Sequence, residues 1–200
     1  MKIFEDISSY YERLIEKNGY DPRSCDYGHP ASQQIKFNII SQVCDFSGKS
    51  VLDVGCGFAD FSVFLENKFG NVDYTGVDIS PSMIKIAQEK HPGKNIFLKN
   101  ILEEDAGGPY DIVTANGIFY LLGENAERIS KELIRKMFSL ANEAIVFNSL
   151  SIYAPNKEEG EYYADPSEVL RFCQSLSPWV VLRHEYHPND FTVYVYKNRQ

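Results

Sequence analysis

The architecture of this 200-residue chain is set by residues 51–60, which read Val-Leu-Asp-Val-Gly-Cys-Gly-Phe-Ala-Asp. A strand-like run reaches a Gly-x-Gly turn, and an apolar helical pattern follows at Phe61, Phe64, Leu65 and Phe69. Such a strand-turn-helix unit is expected to present free backbone N–H groups and a helix N-terminus beyond the sheet edge. Gly55 and Gly57 permit a tight turn and close approach of a ligand, because neither carries a Cβ. The segment therefore predicts a loop that binds a nucleoside-containing cofactor.

Two classes of cofactor use a turn of this kind. A dinucleotide fingerprint, Gly-x-Gly-x-x-Gly, needs a third glycine where this chain has Asp60. The Asp60 carboxylate would repel a pyrophosphate, whereas a cationic sulfonium with an amino-acid tail meets no such penalty. Residues 51–60 closely resemble motif I of the class I methyltransferases that depend on S-adenosyl-L-methionine (SAM). This resemblance implies that SAM is the cofactor.

From residue 50 onward, strand-like and helix-like runs alternate, which is typical of a parallel α/β sheet. The last two strand-like runs, Val180–Tyr186 and Phe191–Lys197, are joined by four residues, too few for a parallel crossover, so they are antiparallel if they pair. Class I methyltransferases are known for this ending, and the Rossmann dehydrogenases lack it. The sequence therefore predicts a single domain over residues 1–200, with a Rossmann-like, mostly parallel sheet of seven strands, a C-terminal antiparallel hairpin and helices on both faces. The other strands are predicted at Val51–Val54, Tyr74–Ile79, Ile96–Lys99, Asp111–Ala115 and Ala144–Asn148.

Residues at the strand ends supply the predicted cofactor site. Asp78 ends the second strand, and its carboxylate could accept hydrogen bonds from vicinal ribose hydroxyls or merely cap the next helix. By the resemblance, Asp78 binds the SAM ribose, while Ile79 and Met83 flank the adenine unless both are core residues. Asp53 is expected to accept loop N–H bonds or to orient the SAM ammonium, since an unpaired carboxylate inside a strand is costly. The predicted cofactor residues are Asp53, Gly55, Gly57, Asp78, Ile79, Met83, Asn100, Ile101 and Asn116.

Three polar residues are assigned by their position in the resemblance or on a loop. Asn100 follows the third strand, where the family often has an aspartate that contacts adenine N6, and an amide carbonyl can accept the same bond. After the fourth strand the family places groups near the methionine amino group and the transferred methyl, which implicates Asn116 and Tyr120. His29 precedes Pro30 on a loop and could be a general base. We therefore name His29 and Tyr120 as catalytic candidates, and we predict no metal site.

Composition limits the partners and the compartment. The net charge of −8 argues against a nucleic-acid duplex as the main partner, because such a partner needs a basic footprint. The four cysteines are scattered without a Cys-x-x-Cys pair, which indicates free thiols in a reducing compartment. The N-terminus has no signal-peptide pattern, and no apolar run approaches the ~20 residues of a membrane helix. These features predict a soluble cytoplasmic protein that binds neither nucleic acid nor membrane, and they leave its oligomeric state open.

Residues 1–34 are predicted to form a helical lid over a core that spans residues 35–200. An apolar helical stripe begins at Ile3, and a Gly/Pro-rich loop with Tyr27 and His29 separates it from a second stripe that begins at Ile35. The resemblance implies an enzyme that methylates an N or O atom of a small molecule. Two alternatives stay open: a SAM-binding regulatory or assembly protein that does not methylate, and a protein methyltransferase. A closed pocket under residues 1–34 would favour the small molecule, and an open groove would favour a protein substrate.

Overall fold

The computed structural model describes residues 2–27 and 30–199, so the candidate base His29 lies outside the described residues. The strands are β1 (Ser50–Val54), β2 (Asp73–Asp78), β3 (Asn95–Leu98), β4 (Tyr110–Ala115), β5 (Ala141–Leu150), β6 (Val180–Arg183) and β7 (Asp190–Tyr196). In this part of the chain they form one sheet in the order β3-β2-β1-β4-β5-β7-β6. Neighbours from β3 to β5 pair in parallel, and β7 is antiparallel to both β5 and β6. The predicted α/β fold is confirmed.

Six α-helices are found in the described residues. They are α1 (Lys2–Asn18), α2 (Pro30–Ile40), α3 (Asp60–Phe69), α4 (Pro81–Lys90), α5 (Ala126–Leu140) and α6 (Pro166–Gln174), with a short 3₁₀ helix at Pro22–Cys25. Helices α4 and α6 each begin at a side-chain N-cap, because Ser80 accepts the Met83 N–H and Asp165 accepts the Ser167 N–H, each just before a proline. The first hairpin strand is shorter than predicted, since the chain leaves the ladder after Arg183.

Helices cover both faces of the sheet because alternate strand residues point to opposite sides. Leu52 belongs to one buried cluster together with Met137 of α5, whereas its neighbour Val51 belongs to the other together with Leu65 of α3. Burial of each such side chain contributes roughly 1.5–3 kcal/mol. The carboxyl ends of β1, β2 and β4 thus lie at one edge of a rigid sheet, which fixes the positions of the residues that follow them.

The two N-terminal helices differ in how deeply they are buried. Helix α2 contributes Phe37, Ile39 and Ile40 to the core, and Tyr194 donates a hydrogen bond to the Ile39 carbonyl. Helix α1 has a single fully buried residue, Ile7, among those described. The predicted lid boundary at residue 34 therefore falls inside α2, a core helix, and α1 with the 3₁₀ helix is the more loosely attached part. Among the described residues, no helix has both the length and the apolar content needed to cross a membrane.

Candidate active site

The glycine turn after β1 closes against β2. Gly55 has φ +72°, and a Cβ placed on it would lie 2.2 Å from Ile118 Cγ2, so only glycine fits there. The N–H groups of Gly55 and Cys56 donate to the Val77 carbonyl at 2.8 and 3.1 Å. The prediction that these N–H groups are free is therefore wrong, because β1 and β2 are neighbours and the turn extends their ladder. A turn with occupied amides offers no N–H cradle for a pyrophosphate, which agrees with the choice against a dinucleotide.

Asp78 holds the turn and faces the cavity. Its Oδ2 accepts the Gly57 N–H at 2.8 Å, and its Oδ1 accepts the Ser80 N–H at 2.9 Å. Burial raises the pKa of this carboxyl, while the backbone hydrogen bonds from Ser80 and Gly57 lower it. Each carboxylate oxygen still has a lone pair for a further donor. The two interpretations of Asp78, as a structural cap and as an acceptor for ribose hydroxyls, are thus compatible.

Asp53 is a buried anion in the middle of the sheet, with only 3% of its surface exposed. The Tyr74 hydroxyl donates to Oδ2 at 2.7 Å and the Thr114 hydroxyl donates to Oδ1 at 2.8 Å. The expected loop N–H bonds are absent among the described residues, since the side chain points to β2 and β4 instead. Burial raises the pKa of Asp53 to about 6, the two hydroxyls lower it, and the Asp78 charge raises it. A carboxylate that lines the cavity and has no cationic partner in the described chain suits the ammonium of an amino-acid tail.

An apolar wall stands where the resemblance places the adenine. Met83 and Ile101 are buried, Ile79 is half-buried, and all three line the cavity. Asn100 also lines it, but its Oδ1 accepts the Leu102 N–H at 3.0 Å and so closes the turn after β3. One lone pair of that oxygen remains for a ligand.

Asn116 belongs to a relay of amides that crosses from the sheet to the N-terminal segment. Asn148 Oδ1 accepts the Gly117 N–H, and Asn148 Nδ2 donates to Asn116 Oδ1, both at 2.7 Å. Asn116 Nδ2 in turn donates to the Tyr27 hydroxyl at 2.6 Å. The Asn116 side chain is therefore oriented, and it fixes Tyr27 over the end of β4.

The Tyr120 hydroxyl lies in a second contact between the sheet and the N-terminal segment. It donates to Asp26 Oδ2 at 2.8 Å and lies 2.8 Å from the Tyr11 hydroxyl. Tyr10 donates to the same Asp26 oxygen. Burial and the nearby Tyr11 and Asp26 raise the pKa of Tyr120 well above its ordinary value. Tyr120 therefore keeps its proton at neutral pH, so it can donate a hydrogen bond but is a poor base.

These residues surround one cavity of about 1500 Å³, its open mouth included. The N-terminal segment forms its cover with Phe4, Ile7, Tyr11, Cys25, Asp26 and Tyr27. A Cβ on Gly57 would lie 3.2 Å from Cys25 Sγ, so the cover reaches the glycine turn itself. In the segment that follows β5, Glu161 lines the cavity, whereas Tyr153 is 64% exposed and does not line it. The glycine turn, the Asp53 carboxylate and the apolar wall fit SAM.

Sequence reasoning missed several residues of the site. Tyr74 and Thr114, on the two strands next to β1, donate hydrogen bonds to Asp53. Once the strand order is known, the register identifies Thr114, which lies opposite Asp53, but not Tyr74, because Gly76 is the residue opposite Asp53 on β2. Lys36 and Asp190 line the far end of the cavity. No local sequence signal points to that pair, because its members are 154 positions apart and meet only in the folded chain.

Comparisons with known proteins agree with this geometry. A methyltransferase domain family matches residues 52–143. A methyltransferase of Mycobacterium tuberculosis is 30% identical over 156 residues, which cover 74% of this chain and 93% of that protein. The magnesium-protoporphyrin O-methyltransferase of Rhodobacter capsulatus is 33% identical over 108 residues, 52% of this chain and 46% of that one. The structure of the magnesium protoporphyrin IX methyltransferase of Synechocystis with bound SAM superposes with a TM-score of 0.71 at 16% identity, covering 99% of this chain and 98% of the other. The chain belongs to the class I SAM-dependent methyltransferases, and SAM is its cofactor.

Proposed function

We propose that this enzyme transfers a methyl group from SAM to an N or O atom of a small molecule. The observation that carries the proposal is the covered cavity, whose roof is formed by α1 and the 3₁₀ helix. A pocket of this kind admits a small ligand, whereas a protein substrate would need an open groove. The cavity also extends beyond the proposed cofactor residues to Ser149 and Leu150 at the end of β5. That extra space supports a catalytic protein over one that only binds SAM.

In this proposal, the sheet edge holds SAM and the cover excludes water. Asp78 accepts the ribose hydroxyls, Asp53 faces the ammonium, and Ile79, Met83 and Ile101 flank the adenine. Gly55 and Gly57 allow the backbone to approach SAM closely. Asn100 is oriented to hydrogen-bond the adenine end of SAM, and Asn116 is oriented to hydrogen-bond its methionine end. When bound, SAM supplies an already activated methyl group, so the chain mainly has to align the acceptor and keep the site dry.

The same proposal makes α1 and the loop to Tyr27 a lid. Its side-chain hydrogen bonds to the core include Tyr27 with Asn116, the Asp26–Tyr120–Tyr11 group, Tyr20 with Asp60 and Glu12 with Ser82. Small sets of hydrogen bonds like these, each worth about 0.5–1.5 kcal/mol, can open without unfolding the core. We also place the protein in the cytoplasm, which its free cysteines support.

The test is methyl transfer with purified protein. Radiolabelled SAM is incubated with fractions of a metabolite extract, and label in a small-molecule product is measured. The proposal expects label in at least one fraction, and loss of that label in Asp78→Ala. Tyr153→Phe, which changes an exposed tyrosine outside the cavity, is the matched control and should behave as the wild type. Label in protein alone, or SAM binding without transfer to any fraction, would refute it.

A further inference from the structure

The far end of the cavity contains a fixed pair of opposite charges. Lys36 Nζ of α2 lies 3.2 Å from Asp190 Oδ2 of β7, and the two side chains are only 13% and 3% exposed. His187 Nδ1 lies 2.8 Å from the same Asp190 oxygen, on the side away from the cavity lining. Asp190 is thus the buried charge partner of the Lys36 ammonium, while His187 Nδ1 accepts the Asn189 N–H at 3.2 Å. An ammonium has three N–H donors, and Asp190 uses only part of them.

Strand order places this pair away from the proposed cofactor residues. Gly55 follows β1 and Asp78 ends β2, whereas Asp190 begins β7, three strand steps from β1 through β4 and β5. At about 4.8 Å for each step, the lateral offset is roughly 14 Å. The Lys36 ammonium therefore faces the part of the cavity beyond β4, where an acceptor rather than the ribose or adenine would lie.

Tyr27 adds a second hydrogen-bond donor at this end. Its hydroxyl oxygen accepts from Asn116 Nδ2, whose orientation is set by Asn148. The hydroxyl proton of Tyr27 therefore points away from Asn116, and no described residue accepts it. Lys36 Nζ lies 5.5 Å from the centre of the Tyr27 ring. Burial raises the pKa of Tyr27 well above its ordinary value, so this hydroxyl remains a donor at neutral pH.

We propose that Lys36 and Tyr27 bind a carboxylate of the acceptor, and that this carboxylate is the group methylated. The inference rests on the methyl transfer proposed above and specifies its acceptor. A carboxylate oxygen forms a bond to the methyl carbon as the carbon–sulfur bond breaks, and the electron pair of that bond stays on sulfur. The products are a methyl ester and S-adenosylhomocysteine. No proton moves, so no general base is required.

The protonation states around the cavity agree with an acceptor that is already ionised. Tyr27 and Tyr120 keep their protons, and burial raises the pKa of Cys25 to about 12. Carboxylates in general are far too weak as bases to deprotonate an alcohol, and Asp26 and Glu161 are two that line the cavity. Both lie toward the mouth, where Asp26 is exposed and Glu161 is half-buried, so water screens their repulsion of an anion bound at Lys36.

Alkali distinguishes the product classes. A methyl ester releases its label as volatile methanol in mild base, whereas N-methyl and ether products retain it. The wild-type protein is incubated with tritiated SAM and a panel of small carboxylic acids, their primary amides and an extract fraction, and volatile label is counted after base treatment. We expect label to be released only from carboxylate acceptors. Label that is stable to base overturns the carboxylate proposal but leaves methyl transfer intact, while no transfer at all refutes both.

The role of Lys36 is tested in the same assay. Lys36→Met should raise KM for the carboxylate at least tenfold and leave the Kd for SAM within twofold. The double variant Lys36→Met/Asp190→Asn removes both charges of the buried pair, so it leaves no unpaired carboxylate at the far end of the cavity. It replaces the single variant in the assay if Lys36→Met does not fold. Lys85→Met, an exposed lysine of α4, is the control. An unchanged KM, or a SAM affinity that falls as much as the acceptor affinity, would show that Lys36 does not bind the acceptor.

Discussion

Replacement of Asp53 by asparagine should change how stability depends on pH. Asp53 has a folded pKa of about 6 against an ordinary value of 3.8, so the native state holds its proton more tightly than the unfolded chain does. Its contribution to stability is fully present below the unfolded pKa and is lost as the pH rises through about 6. The linkage relation gives a loss of about 2 kcal/mol between about pH 4.5 and about pH 7.5. An asparagine side chain does not titrate, so the variant lacks this loss.

The asparagine also disturbs the hydrogen bonds from Tyr74 and Thr114, because its amide nitrogen donates rather than accepts. That cost of about 1–3 kcal/mol is the same at both pH values, so it cancels when the pH dependences are compared. Urea unfolding of wild type and variant at the two pH values measures the difference. Asp73→Asn, an exposed residue at the start of β2, is the control. A stability gap between Asp53→Asn and wild type that does not change with pH would refute the raised pKa.

SAM should be coupled to the same group. An ammonium near Asp53 favours the ionised carboxylate, so SAM binding releases a proton from it and wild-type affinity should rise as the pH passes upward through about 6. In Asp53→Asn this rise should be absent, and affinity at neutral pH should be lower. Calorimetry in buffers of different ionisation enthalpy measures both the affinity and the proton release. Equal proton release from wild type and variant would show that SAM does not meet Asp53.

Three further outcomes follow from the site. Asp78→Ala should cost about 1.5–3 kcal/mol of SAM affinity, measured by calorimetry. It should also lower Tm, because two backbone N–H groups lose their acceptor. An unchanged SAM affinity would show that Asp78 does not bind SAM. Gly55→Ala should lower Tm by several degrees more than Gly19→Ala. Both glycines have positive φ, but only at Gly55 would the added Cβ have a neighbour within 4 Å. Equal shifts in Tm would contradict the contact with Ile118. Tyr120→Phe should leave the shape of the pH–rate profile of methyl transfer unchanged, because Tyr120 keeps its proton. If the variant lost a basic limb of that profile, Tyr120 would be a titrating catalyst.

The glycine turn and the neighbouring strand end could be predicted because short-range rules fix them. Gly55, Gly57 and Asp78 lie on one strand-turn-helix unit and its neighbour, and parallel strands bring their carboxyl ends to one edge. The hydrogen-bond partners were harder to predict, since they depend on strand register. Asp53 was expected to bond to its own loop or to orient the SAM ammonium, and in the fold it accepts hydrogen bonds from Tyr74 and Thr114 on the neighbouring strands.

The proposed acceptor end of the cavity could not be predicted, because it is assembled from segments far apart in the sequence. Lys36 comes from α2, Asn148 from β5 and Asp190 from β7, and none carries a local motif. They meet because β7 inserts between β5 and β6 and because α2 packs beneath the end of the sheet. The sequence did predict the antiparallel hairpin, the strand at Ala144–Asn148 and the apolar stripe from Ile35, but none of these patterns indicates which charges the fold brings together.

The cover connects the two halves of the cavity and implies an order of events. Cys25 lies against Gly57 at the cofactor end, while Tyr27 lies against Asn116 and near Lys36 at the acceptor end. The two residues are separated by one position, so a movement that releases Cys25 from the turn also displaces Tyr27. In the proposed lid, the opening that admits SAM therefore also breaks the proposed acceptor contact. Tyr27→Phe, which removes the bond to Asn116, should raise KM for the acceptor and speed SAM dissociation in stopped-flow measurements, whereas a lid whose two ends move independently would leave SAM dissociation unchanged.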